Sequence, residues 1–178
     1  MVASRALSAR AVRLALALAA FASGCASSGS FSGGVYRNAN VAFHIDPVPS
    51  EWRAIDVSDA NLAFRDDAHG ASVMINGRCI PDDGDAPLAS LTEHLIMGTT
   101  DRKFLLEETI PMDARDARHT VLEAKLDGVR MAYDIFVLKK NGCVYDLVYV
   151  AAPDDLRGGA PAFEQLARAF RAVGRGDT

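Results

Sequence analysis

The stretch VRMAYDIFVLKKNGCVYDLVYVAAP, residues 129 to 153, constrains the fold more than any other part of the chain. Two β-rich runs flank Asn141 and Gly142, the favoured pair for a two-residue hairpin turn whose central positions both need positive φ. Counting outward from that turn puts Lys140 opposite Cys143, Leu138 opposite Tyr145, Phe136 opposite Leu147 and Asp134 opposite Tyr149. The other face then carries Met131, Tyr133, Ile135 and Val137 beside Val144, Val148 and Val150. Both faces are mostly apolar, so both require cover, and the hairpin belongs in the middle of a sheet.

The remaining segments supply the rest of that sheet and its cover. Val41, Phe43 and Ile45 alternate with Ala42 and His44 as in a half-buried strand, and DPVPSEW then interrupts it with two prolines. Residues 53 to 57, 61 to 65 and 71 to 80 read as short strands, with a turn at RDDAHG where Gly70 is free to take positive φ. From Pro87 the period changes: Leu88, Leu91 and Leu95 predict a helix over about 86 to 97, with Asp85 near its start and Gly98 after its last turn. Strands are expected at 103 to 110 and 119 to 126, the second closed by LDG. Phe163, Leu166, Ala167, Phe170 and Val173 predict a last helix from about Pro161 to Val173, supported by the Glu164 and Arg168 pair and by Arg171 and Arg175 near its C-terminal end. The preceding RGGAP reads as a flexible lead-in; it lacks the Lys-Ser/Thr of a phosphate loop. Strands, helix, strands, helix make an α+β fold, a mostly antiparallel β-sheet covered by helices.

That order, with the aromatic-led strand, Pro-rich turn and Trp of VAFHIDPVPSEW at 41 to 52 and the closing amphipathic helix, resembles the PsbP-like family over residues 36 to 173. The resemblance implies an α/β/α sandwich. It also implies a non-catalytic accessory role, and it carries no catalytic residue onto this chain.

The N-terminus bears Arg5, Arg10 and Arg13, then nine apolar residues from Leu14 to Ala22. This is the pattern of a secretion signal, too short for the roughly 20 apolar residues of a membrane span. Ala22, Ser23, Gly24 and Cys25 resemble the bacterial lipoprotein box, which implies that residues 1 to 24 are removed and that Cys25 carries a diacylglyceryl group and a further fatty chain such as palmitate. The alternative is an ordinary cleaved signal with Cys25 as a thiol. Residues 25 to 35 are rich in Ser and Gly and read as a tether, residues 36 to 174 as one domain, and 175 to 178 as a disordered tail. Ala26 and Ser27, in place of the Asp that resembles an inner-membrane retention signal, point to the outer membrane, with the body facing the periplasm.

Removing residues 1 to 24 takes three of the 19 basic residues and none of the 23 acidic ones, leaving 16 against 23 and a formal charge of −7. An acidic body disfavours nucleic acid and anionic lipid as nonspecific partners. With Cys25 acylated, Cys79 and Cys143 remain, an even pair in an exported chain. They are expected to form a disulfide, with buried free thiols as the alternative.

Candidate chemistry is sparse. His44, His69, His94 and His119 lie 25 residues apart, but their flanks share nothing and no H-E-x-x-H spacing exists. The spacing reads as coincidence, and no metal or cofactor is expected. PDDGDAPLASLTE places Asp82 and Glu93 at the ends of a possible calcium loop but has Gly84, Ala86 and Pro87 at the third, fifth and sixth positions, so it reads as an acidic turn. Asp134 and Asp146 interrupt apolar strands and fall on opposite faces, so they form no dyad. Each must find a partner, and the Tyr149 hydroxyl lies opposite Asp134. There is no G-x-S-x-G or C-x-x-C to support nucleophilic catalysis. The expectation is therefore a lipid-anchored, non-catalytic envelope protein that binds another envelope protein. A small apolar ligand lined by Trp52, Tyr133, Tyr145 and Tyr149 is the alternative, and an enzyme the third.

Overall fold

The computed structural model describes residues 29 to 79 and 86 to 174. Cys25 and its neighbours, Asp85 with the acidic turn before it, and the expected tail lie outside the described residues. In chain order the elements are β1 (Ser30–Ser32), β2 (Val35–Arg37), β3 (Ala42–His44), β4 (Arg53–Ile55), β5 (Leu62–Asp66), β6 (Ala71–Arg78), α1 (Leu88–Leu95), β7 (Thr100–Met112), β8 (Arg115–Leu126), β9 (Val129–Lys140), β10 (Cys143–Ala151), α2 (Leu156–Ala169) and β11 (Arg171–Ala172). β4 to β10 form one antiparallel sheet in the order β4-β5-β6-β10-β9-β8-β7, and β1-β2-β3-β11 form a small second one. Antiparallel strands with two helices are the α+β class read from the sequence.

The β9–β10 hairpin has the register that its turn dictates, Lys140 opposite Cys143 through Ala132 opposite Ala151, with Asn141 and Gly142 both at positive φ. β10 continues onto β6 with Val144 opposite Arg78, which sets Cys79 beside Cys143, and the two are joined in a disulfide across the strands. Two cores follow from the two apolar faces. On the first face Phe136, Leu138, Tyr145, Leu147 and Tyr149 pack under α2 and under Phe43 and Ile45 of the small sheet. On the second, Ile135, Val137, Val144 and Val148 pack against Leu91 and Ile96 of the α1 segment. Cover is therefore uneven. A helix plus a small sheet lie on one face, and α1, which packs on β8 and β9, lies on the other.

Several elements differ from their sequence-based boundaries. The apolar spacing from Phe163 to Val173 predicts the last helix from about Pro161 to Val173. It begins at Leu156, with Pro161 inside it, and ends at Ala169. The RGGAP segment is thus helical rather than a flexible lead-in. Leu156 and Gly159 are buried against the sheet, and this packing outweighs the helix bond that the missing Pro161 N–H cannot make. Phe170 turns the chain out of the helix, its ring 5.1 Å from that of Tyr145, and Arg171 and Ala172 pair with β3. Within the segment 25 to 35 read as a tether, the described part is paired: Ser30–Ser32 pairs with β2 around a turn at Gly33 and Gly34, both at positive φ, and Phe31 meets Phe64 edge to face. The expected strands at 103 to 110 and 119 to 126 are parts of one long hairpin, β7 and β8, turned by Asp113 and Ala114 at positive φ. The Asp113 carboxylate holds that turn, 2.8 Å from Lys140 Nζ and accepting the Ala172 N–H.

Candidate functional site

The lightly covered face carries a cleft of about 560 Å³. Its floor is Met74, Met131, Val148 and Val150, residues whose alternation along β6, β9 and β10 faces them away from α2, and the chain around α1 supplies Leu95 and Met97 as a wall. Polar residues interrupt the apolar lining, among them the buried Tyr133 and Asp146. Tyr133 is 7% exposed and its hydroxyl has no hydrogen-bond partner among the described residues. Asp146 is buried and accepts hydrogen bonds from Asn76 Nδ2 at 2.9 Å and Arg78 Nη1 at 3.2 Å. Burial pushes the Asp146 carboxyl above its usual range, and the Asn76 bond and Arg78 charge oppose that only in part.

Beneath α2, on the other face, lie two histidine clusters. Asp66, at the end of β5, is buried, with His69 Nδ1 2.8 Å from Oδ2 and the Tyr149 hydroxyl donating to the same oxygen at 2.9 Å. Burial raises the Asp66 carboxyl, but the His69 bond, the Tyr149 bond and the His69 charge outweigh it and hold its pKa below the usual carboxylate range. Burial and then the Asp66 charge and bond push the Tyr149 phenol up. Gly159 of α2 sits over this pair so closely that a Cβ there would lie 1.7 Å from the Tyr149 oxygen.

The second cluster centres on His119 of β8, whose ring stacks on Phe136 with centroids 4.1 Å apart. Nε2 lies 2.8 Å from Asp134 Oδ1 and Nδ1 lies 3.1 Å from Glu108 Oε1. A carboxylate beside each ring nitrogen favours the form that donates from both, the imidazolium. Burial opposes that charge, but Asp134 and Glu108 prevail and raise the pKa. The partner of Asp134 is therefore His119; Tyr149, which the register places opposite Asp134, turns its hydroxyl to Asp66. Asp134 and Asp146 do face opposite sides of the sheet.

Of the residues expected to line a ligand, Trp52, Tyr145 and Tyr149 are buried in the core under α2, and only Tyr133 borders the cleft. They do not form one surface, because the pleat sends Tyr133 to one face and Tyr145 and Tyr149 to the other. His119 acquired carboxylate partners that no local spacing announced, the available signal being the isolated Asp134 in an apolar strand, whereas Asp66 lies three residues before His69 in the same turn.

A third feature is the outer strand. β7 pairs only with β8 among the described residues, and Phe104, Leu105 and Leu106 are exposed in succession where the register shifts. No helix of the described residues is long and apolar enough to cross a membrane.

No family model and no curated protein matches the chain. Solved structures do. The chain is similar to CyanoP, the cyanobacterial PsbP of Synechocystis, at 15% identity over 82% of this chain and 98% of that one, with a TM-score of 0.56. It is similar to the Ran-binding protein Mog1p of Saccharomyces cerevisiae at 10% identity over 84% and 97%, TM-score 0.56. It is also similar to LpqN of Mycobacterium tuberculosis, involved in cell envelope biogenesis, at 15% identity over 75% and 85%, TM-score 0.50. At such identities the likeness establishes the fold, a PsbP-like one.

Proposed function

We propose that this chain is a non-catalytic accessory protein of the cell envelope. A diacylglyceryl group on Cys25 holds it to the outer membrane, and its folded body binds an envelope protein from the periplasmic side. The anchor rests on the sequence from Arg5 to Cys25, and the envelope setting is supported by the likeness to LpqN. His119 has both nitrogens engaged by carboxylates, which leaves it no free nitrogen to act as a general base.

The observation that carries the binding role is the apolar edge of β7. An outer strand presents unpaired backbone N–H and C=O groups, and proteins ordinarily guard such edges with charge or short length. β7, from Thr100 to Met112, carries such charges at Asp101 to Lys103 and at Glu107 and Glu108, yet between them it presents three consecutive exposed apolar residues. The occupant that satisfies both is an extended segment of the partner, pairing along the edge and burying its own side chains on Phe104 and Leu106. A photocrosslinking residue at Leu105 in living cells tests this. One stoichiometric envelope adduct, lost when Leu106 is replaced by Lys, is expected; an adduct only with a second copy of the chain, or none, refutes the reading. Replacing Cys25 with Ser should release the protein from the membrane fraction.

The cleft favours a second reading, a small, largely apolar ligand that offers an acceptor to the Tyr133 hydroxyl. Native mass spectrometry of the purified protein should then retain a small molecule, and Tyr133→Phe should reduce the occupied fraction.

A further inference from the structure

We infer that His119, Asp134 and Glu164 form a binding site for one divalent transition-metal cation of the zinc type. One ligand atom from each residue lies within 4.8 Å of the others, and the three come from β8, β9 and α2. This site lies on the opposite face of the sheet from the cleft, and it meets β7 only through Glu108, away from the exposed Phe104 to Leu106.

Four features distinguish the cluster from a chance gathering of acids. First, His119 Nε2 and Asp134 Oδ1, hydrogen-bonded at 2.8 Å, need part by only about half an ångström for both to lie about 2 Å from a shared tetrahedral ion. Second, the far ring nitrogen is already held by a carboxylate, Glu108, which is the outer partner that orients a metal-bound imidazole and raises its basicity. Third, stacking on Phe136 fixes the plane of the ring, so Nε2 is aimed before any ion arrives. Fourth, access and burial are graded. Asp134 and His119 are almost wholly covered, whereas the Glu164 side chain is 39% exposed and makes only a 3.7 Å ion pair with Arg168. Glu164 can therefore exchange Arg168 for an ion arriving from solvent.

The donor set decides the class. One imidazole nitrogen and two carboxylates suit Zn²⁺ and its first-row neighbours, while Ca²⁺ takes six to eight oxygens. On binding, the cation replaces the hydrogen on Nε2, which leaves to solvent as a proton. The other hydrogen stays on Nδ1 and is donated to the Glu108 carboxylate. The ion would then tie α2, through Glu164, to strands that His119 links to one another through Asp134 and Glu108.

The test uses the purified full-length chain in detergent, freed of metal by chelation and titrated with Zn²⁺. One equivalent should bind by calorimetry and by elemental analysis after dialysis, with a rise in melting temperature. Glu164→Gln, at the half-exposed ligand of α2, should weaken binding at least about tenfold and Glu108→Gln by about 10- to 100-fold, with the fold of each variant checked by circular dichroism. The His119 Nε2 resonance should show loss of its proton and a metal-dependent shift. No binding at tenfold excess, or binding that Glu164→Gln and Glu108→Gln leave unchanged, overturns the site and leaves His119 as a metal-free imidazolium between carboxylates.

Discussion

Asp66 shows how a buried carboxylate is made to work for stability in this chain. Its folded pKa lies below the unfolded value, so its contribution is present above the usual carboxylate range and is lost as pH falls through the folded value. Urea midpoints measured from pH 6 down to pH 2.5 should fall on the acid side, and Asp66→Asn should flatten that limb while lowering the plateau. Asp146 has the opposite sign. Its raised pKa means that ionisation opposes folding as pH rises from about 4, so Asp146→Asn should steepen the acid loss. Tyr133 differs from both because its buried hydroxyl donates to nothing among the described residues. A buried unsatisfied hydroxyl costs about 1 to 3 kcal/mol, so Tyr133→Phe should raise the melting temperature of the ligand-free protein. Sequence could locate Asp134 and Asp146 as acids in need of partners. It could not name His119 or Asn76, because those pairings depend on which strands become neighbours.

At the level of elements, α2 is the informative case. Its GGAP sequence looks like a helix breaker, yet the glycines are what allow the helix to approach the sheet. A Cβ at Gly159 would meet the Tyr149 oxygen at 1.7 Å and Asp66 Oδ2 at 3.0 Å, both buried and mutually bonded. Alanine gains about 1 kcal/mol of helix propensity, but overpacking costs about 1 to 3 kcal/mol and breaking the Tyr149 to Asp66 bond adds to that. Gly159→Ala should therefore lower stability in urea unfolding. Gly158→Ala should cost less, since its Cβ meets the half-exposed His69 ring, which can swing away. The hairpins divide in the same manner. The Asn141 and Gly142 turn was legible because those residues tolerate positive φ. The Asp113 and Ala114 turn was not, since Ala carries no such signal and the conformation is held from outside by Lys140 and the Ala172 N–H.

For the molecule as a whole, the seven-stranded sheet is covered unequally and laced by one covalent link. The Cys79–Cys143 bond closes a 64-residue separation, which by loop entropy is worth about 4 kcal/mol. Reduction, or Cys143→Ser, should lower the denaturation midpoint accordingly without changing the secondary structure seen by circular dichroism. Local sequence determined the central hairpin, its register and the demand for cover on both faces, because turn φ angles and the two-residue side-chain period are properties of a few adjacent residues. Only the tertiary structure decided that α2 starts five residues early, that His119 stands among three carboxylates, and that one face is left with a cleft. Those outcomes depend on which distant segments compete to bury the same surface, and no window of neighbouring residues contains that competition.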